Sequence, residues 1–118
     1  TQIDYDRHIA LVALRREAGE DKMLGVARAI AGPDNEEAEF SVAVGDAWQG
    51  KGVGRKLLRM CLRVGKDYGI KTLYGTVLAE NTQMLGLARE FGFKVTRGKG
   101  GNEYQLSIDL ERLQESEF

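Results

Sequence analysis

At 118 residues, with 42% hydrophobic and 30% charged side chains, the chain has material for one domain with a core and a polar surface. A net charge of −1 argues against non-specific nucleic-acid binding, which needs a concentrated basic surface, and no apolar run reaches the roughly 18 residues that a membrane span needs. A single Cys, Cys61, and a single His, His8, exclude an intrachain disulfide and a Cys/His zinc cluster, so no metal site is expected and any Ser-His chemistry would have to use His8. The opening Thr1-Gln2-Ile3-Asp4-Tyr5-Asp6 is acidic and lacks an apolar h-region, so no signal peptide is expected and the location is expected to be cytoplasmic.

No internal repeat, low-complexity stretch or linker divides the chain, and residues 1–118 are expected to form one domain. From His8 to Arg15 the segment Ile9-Ala10-Leu11-Val12-Ala13-Leu14 is apolar at both parities, which predicts a strand covered on two faces. Met23 to Ala31 reads the same way, and Glu17 to Asp21 between them predicts a hairpin connection. After the turn signal Gly32-Pro33-Asp34-Asn35, Glu39 to Val44 alternates, with Phe40, Val42 and Val44 on one face and Glu39, Ser41 and Ala43 on the other.

From Gly52 the period becomes helical: Val53, Leu57, Met60 or Cys61, Val64 and Tyr68 form a stripe, widened by Leu58 and Leu62, and Gly69 predicts the stop. Thr72 to Ala79 reads as a strand, which the helical crossover places parallel to the strand before it. A second helix is predicted over about Thr82 to Phe91, stopping at Gly92, followed by a hairpin of Phe93 to Arg97 and Glu103 to Asp109. The order β-β-β-α-β-α-β-β predicts an α/β (α+β) class, a mixed and mostly antiparallel sheet with helices packed on it. Residues 111–118 read as a polar tail, solvated or weakly helical.

The segment Gln49-Gly50-Lys51-Gly52-Val53-Gly54-Arg55 lies between a predicted strand and the first turn of a predicted helix. Alternate glycines allow close backbone approach, and the free N–H groups and positive dipole end of a helix N-terminus favour an anion such as a pyrophosphate. Gly45 to Gly52 nearly matches a P-loop, but Gly52 stands where a magnesium-binding Ser/Thr belongs. A dinucleotide fingerprint also fails, because the glycines run G-x-G-x-G. Taken alone, the loop is equally compatible with a plain strand-to-helix connection.

Gln49-x-x-Gly52-x-Gly54 resembles the Q/R-x-x-G-x-G/A pyrophosphate motif of the GNAT family of N-acetyltransferases, preceded by the family's strand pattern in Glu39…Val42-x-Val44. Val77-x-x-x-Asn81-x-x-Met84-x-x-Leu87 followed by Gly92-Phe93 resembles the family's second cofactor segment. The likeness runs from about residue 8 to residue 110. It implies that acetyl-CoA binds where the third strand and the Thr72–Ala79 strand splay apart. Val42 and Val44 would then pair with the pantetheine arm through their backbone groups. The amides of Gln49, Gly50, Lys51, Gly52, Val53, Gly54 and Arg55 would hold the pyrophosphate. Asn81 would contact the pantetheine, with Met84 on the same wall. The plainer readings are that Val42 and Val44 are core residues and that Asn81 caps the helix beginning near Thr82.

Acyl transfer from a thioester to an amine requires the amine neutral, yet lysine has a pKa near 10.4, so a base is needed. Glu39 is the candidate: it starts the strand that would carry the thioester, and the resemblance implies a glutamate base there. A backbone N–H of Val42 or Val44 would stabilise the oxyanion. The alternative is a solvated strand-end glutamate beside Glu36 and Glu37. Many family members use a tyrosine four residues before the Gly-Phe pair to protonate the departing thiolate; here that residue is Ala88, which leaves Tyr74, Tyr104 or water for that task. The strand and two helices that open the family's fold are expected to be missing, as if 118 residues were a fragment of a longer protein. The opening Gln2-Ile3-Asp4-Tyr5-Asp6-Arg7 and the Met84-x-x-Leu87-Ala88-Arg89 helix look most like the acetyltransferase domain of bacterial Pat-type protein lysine acetyltransferases. That resemblance implies a protein lysine as acceptor and an acyl-CoA synthetase among the possible partners. Asp4 and Asp6 are candidate attractors for a basic acceptor segment, with an acidic, frayed N-terminus as the plainer reading. A small-amine acetyltransferase and a non-catalytic acetyl-CoA-sensing module are the competing functions.

Overall fold

The computed structural model describes residues 7–34 and 36–113. The chain runs β1 (Arg7–Glu17), β2 (Glu20–Ala31), β3 (Glu37–Val44), a short 3-10 turn (Asp46–Trp48), α1 (Val53–Asp67), β4 (Thr72–Leu78), α2 (Thr82–Glu90), β5 (Lys94–Arg97) and β6 (Glu103–Asp109). One six-stranded sheet results, in the order β1-β2-β3-β4-β6-β5, with β3 and β4 its single parallel pair. All eight expected elements are present. The expectations on Asp4, Asp6, Asn35 and residues 114–118 lie outside the described residues.

The first hairpin is longer than its apolar pattern suggested, because Arg16, Glu17 and Glu20 to Lys22 continue the ladder to a two-residue turn. Ala18 (φ 53°) and Gly19 (φ 83°) both take the left-handed conformation that matches the strand twist in such a turn. Between Ala13 and Leu14 the partner changes from Gly25 to Met23, leaving Leu24 as the extra residue of a β-bulge. The bulged Leu24 carbonyl accepts a hydrogen bond of 2.9 Å from the Gly45 N–H, tying the end of β3 to β2.

Both helices pack on one face of the sheet. The buried row runs across it through Ala31, Ala38, Leu73 and Ile108, with Ala29 and Phe40 in the next row and Leu106 beyond. Small alanines in β2 let α1 approach closely, and Leu57, Leu58, Cys61 and Leu62 fill the space above them. The predicted stripe is therefore rotated slightly: Cys61 rather than Met60 faces the core, and Met60 and Tyr68 stay exposed. Burial pushes the Cys61 thiol up to about 11, so it is a neutral packing group. The other face of the sheet carries no helix among the described residues. Val12, Ile30 and Tyr74 stand exposed there, so apolar residues at both parities do not signal two covered faces in this chain. Leu113 also departs from expectation. It joins the core instead of a solvated tail, and the Lys66 ammonium holds the turn before it by donating to the carbonyls of Leu110 and Leu113.

Two local features set the shape of the gap between β3 and β4. A Cβ at Gly75 would lie 2.8 Å from the Phe40 ring and 2.9 Å from the Phe40 carbonyl oxygen, so β4 can stay against β3 at that level because residue 75 has no side chain. At the start of α2, the Asn81 Oδ1 accepts from the Met84 N–H at 3.2 Å, which satisfies one orphan donor of the first turn. Gly75→Ala is expected to cost about 1–3 kcal/mol by overpacking, read as a lower urea midpoint with an unchanged m-value. Asn81→Ala is expected to cost about 1 kcal/mol through the lost cap, whereas Asn81→Asp retains most of that stability in the same measurement.

Candidate active site

β3 and β4 are paired over three residues and no further: Glu37 with Thr72, Ala38 with Leu73, and Glu39 with Tyr74. Beyond that point β3 stays registered with β2 up to Val44, and β4 stays registered with β6 up to Leu78. Each strand follows its outer neighbour and the two diverge. Alternate backbone N–H and C=O groups of β3 beyond Glu39 consequently face a gap with no strand to accept them, which is where an extended ligand can pair as an additional strand.

The gap opens into two hollows that share Val42, Asn81 and Met84. The narrower one, about 380 Å³, sits between the strands and is lined by Phe40, Ser41, Thr76, Val77 and Leu78 among others. The larger, about 460 Å³, runs from Val42 and Val44 along the glycine loop to α2. That size suits a small-molecule or cofactor cleft. Of the expected cofactor residues, Val42, Val44, Gln49, Gly50, Gly52, Gly54, Arg55, Asn81 and Met84 line it together. Lys51 and Val53 belong to the same loop without contributing to its wall. Asn81 is both cap and wall, so the two readings of it are compatible.

The loop is built by conformation and by bracing. Gly50 (φ 77°) and Gly52 (φ 88°) both adopt the left-handed region, and Gly52 is the N-cap of α1 with no side chain bonded to the first turn. No acidic residue occupies that first turn. The initial N–H groups of α1 and its positive dipole end are thus left for a bound anion. The Gln49 side chain does a different job from its neighbours: its Nε2 donates to the Val44 carbonyl at 3.2 Å and to Asp46 Oδ1 at 3.3 Å, fixing the loop to the end of β3.

Sequence reasoning missed most of the far wall. Thr82, Gln83, Gly86 and Glu90 of α2, beside Leu87 of the second cofactor segment, complete the larger hollow. Glu90 pairs with Arg55, whose Nη2 lies 3.1 Å from Glu90 Oε1, and so joins the first turn of α1 to the last turn of α2 across the cleft. Both side chains are about half exposed, so this pair adds about 1 kcal/mol or less to stability and matters mainly for where it holds the guanidinium. A 35-residue separation with no local pattern gave no signal for it.

Glu39 is placed differently from the cofactor residues. It is the last paired residue of β3, exposed on the face without helices, and it lies at the closed end of the gap outside the lining of either hollow. Ser41, two residues on and on the same face, lines the narrower hollow. Tyr74 is the register partner of Glu39 and is exposed beside it, whereas Tyr104 pairs with Val77 on the helix-covered face and packs against the core. Ala88 is fully buried in α2. Among the described residues no group of three His, Cys, Asp or Glu is placed to hold a metal ion, and no helix is long and apolar enough to cross a membrane.

This geometry matches known proteins. A model of the acetyltransferase (GNAT) family matches residues 2–93. An acetyltransferase of Pseudomonas aeruginosa is 33% identical over 91 residues, which is 77% of this chain and 49% of that protein. The chain therefore spans about half the length of that curated relative. Among solved structures, the GNAT domain of Streptomyces lividans PAT superposes with a TM-score of 0.70 at 26% identity, over 86% of this chain and 60% of the other. The protein yncA of Salmonella typhimurium, solved with its cofactor acetyl-CoA, superposes with a TM-score of 0.68 at 25% identity, over 87% and 66%. The mixed sheet with two helices matches GNAT acyl-CoA N-acyltransferase structures, and the chain belongs to the GNAT family of acetyltransferases.

Proposed function

We propose that the protein is an acetyl-CoA-dependent N-acetyltransferase that moves the acetyl group to an amine, with a protein lysine side chain as acceptor. The observation that carries this reading is the parting of β3 and β4 beside the start of α1, whose first N–H groups no side chain caps. Family membership and a structural neighbour solved with acetyl-CoA support it. The pantetheine arm would lie along Val42 and Val44, and the pyrophosphate would take the amides of the loop from Gln49 to Arg55, including those of Lys51 and Val53. Met84 and Asn81 would close the wall. The lysine acceptor rests on the resemblance of the sequence to Pat-type protein lysine acetyltransferases.

The reaction then has balanced steps. The neutral amine attacks the thioester carbonyl, the oxyanion is held by a backbone N–H of Val42 or Val44, and the C–S bond breaks to release the thiolate of coenzyme A. Glu39 accepts the amine proton, and a water relays it, since Glu39 precedes Phe40 of the lined wall and does not itself line either hollow. The thiolate leaves without a tyrosine at position 88 and takes its proton from solvent. The exposure of Glu39 favours one competing reading, a module that binds acetyl-CoA and transfers nothing.

Titration with coenzyme A is expected to raise the midpoint of thermal unfolding, since a ligand bound only by the folded state stabilises it by about 2.7 kcal/mol at 100 times its Kd. An unchanged midpoint at saturating concentrations refutes the coenzyme reading. Glu39→Gln is expected to keep that stabilisation and to lose about 10²–10⁴-fold in acetyl transfer to a lysine peptide, with partial recovery at high pH as the amine loses its proton unaided. Wild-type protein that binds the coenzyme but acetylates neither peptides nor small amines is the sensing module instead.

A further inference from the structure

Trp48, at the end of the 3-10 turn that leads into the glycine loop, is surrounded by three cations. The Arg15 guanidinium carbon lies 5.3 Å from the indole centroid, the Lys51 ammonium 5.9 Å and the Lys22 ammonium 6.0 Å. Arg15 and Lys22 are direct cross-strand partners just past the β-bulge, a position at which like charges repel. None of the three has an ion-pair partner among the described residues. Asp46, the nearest carboxylate in the loop, accepts from Gln49, while Asp21 is registered with Arg16 and Glu17 with Glu20. Attraction of an exposed cation to an indole ring is weak and does not by itself account for the gathering of three of them.

Resting on the coenzyme A reading above, we propose that Arg15, Lys22 and Lys51 around Trp48 form a subsite for the phosphate on the ribose 3′-oxygen of coenzyme A. Coenzyme A brings three phosphate groups. The linked pair is served by the backbone N–H groups of the glycine loop, which leaves the third to be met by side chains. Arg55 is the one cation in the lining of the larger hollow, and Glu90 already holds it. Lys51 sits between Gly50 and Gly52, both of which line that hollow, and carries its ammonium to the other side of the loop, toward the β1–β2 hairpin. The hydrogen bond from Gly45 to the bulged Leu24 carbonyl ties hairpin to loop, which gathers the three cations on one flank of the loop whose glycines Gly50 and Gly52 line the hollow. A phosphate in it neutralises the repulsion between Arg15 and Lys22 and leaves the indole face shielded.

The test compares coenzyme A with 3′-dephospho-coenzyme A by isothermal titration calorimetry, using wild-type protein and the Arg15→Ala/Lys22→Ala double variant. The expected result is roughly tenfold tighter binding of coenzyme A by wild type, falling to within about twofold in the double variant, with affinity for the dephospho form unchanged. The wild-type preference should also shrink as salt is raised from about 0.05 to 0.5 M. Equal binding of the two ligands by wild type, or a preference that persists in the double variant, overturns the subsite alone. Binding of neither ligand overturns the coenzyme reading and the subsite with it. Because the wild-type comparison needs no substitution, a variant that folds poorly does not decide the outcome.

Discussion

The site depends on the failure of two strands to stay paired. β3 and β4 share three registered residues and then follow different partners, β2 and β6, whose ladders continue well past the point of divergence. Sheet twist accumulates between neighbours, and a strand held firmly on one edge cannot also track a diverging strand on the other. The gap thus costs the fold a run of main-chain hydrogen bonds. An extended ligand carrying amides could restore them, and an apolar molecule of similar volume could not.

Much of this architecture could be read from the residues. The change of period at Gly52, the stop at Gly69 (φ 80°) and the cap at Asn81 each locate an element by its own local chemistry, and each stands where the pattern put it. The glycine loop was legible for the same reason, because left-handed backbone at Gly50 and Gly52 leaves a trace in composition. What could not be read depends on contacts distant in sequence. The Arg55–Glu90 pair, the placement of β6 between β4 and β5, and the Trp48 cluster all arise from how separate segments meet.

Two misreadings share one cause. Apolar residues at both parities in β1 suggested two covered faces, and the polar letters after residue 110 suggested a solvated tail. Covering depends on what else is present to pack, and pattern reports only what a strand would tolerate. Val12 and Ile30 are exposed because both helices take the opposite face, and Leu113 is buried because the turn at Leu110 swings it back over the core. A single apolar residue in a polar stretch is a weak signal until the turn that aims it is known.

The bulge at Leu24 has a mechanical consequence for the whole cleft. Its displaced carbonyl accepts from Gly45, so the β1–β2 hairpin is tied directly to the start of the glycine loop. The hairpin tip, far along the chain from any reacting atom, is therefore part of the frame that sets the loop's attitude. Removing the extra residue would leave Leu14 opposite Met23 and Arg15 opposite Lys22 but take away the displaced carbonyl, so the loop would lose that tie to the hairpin without a single change in the lining of the cleft.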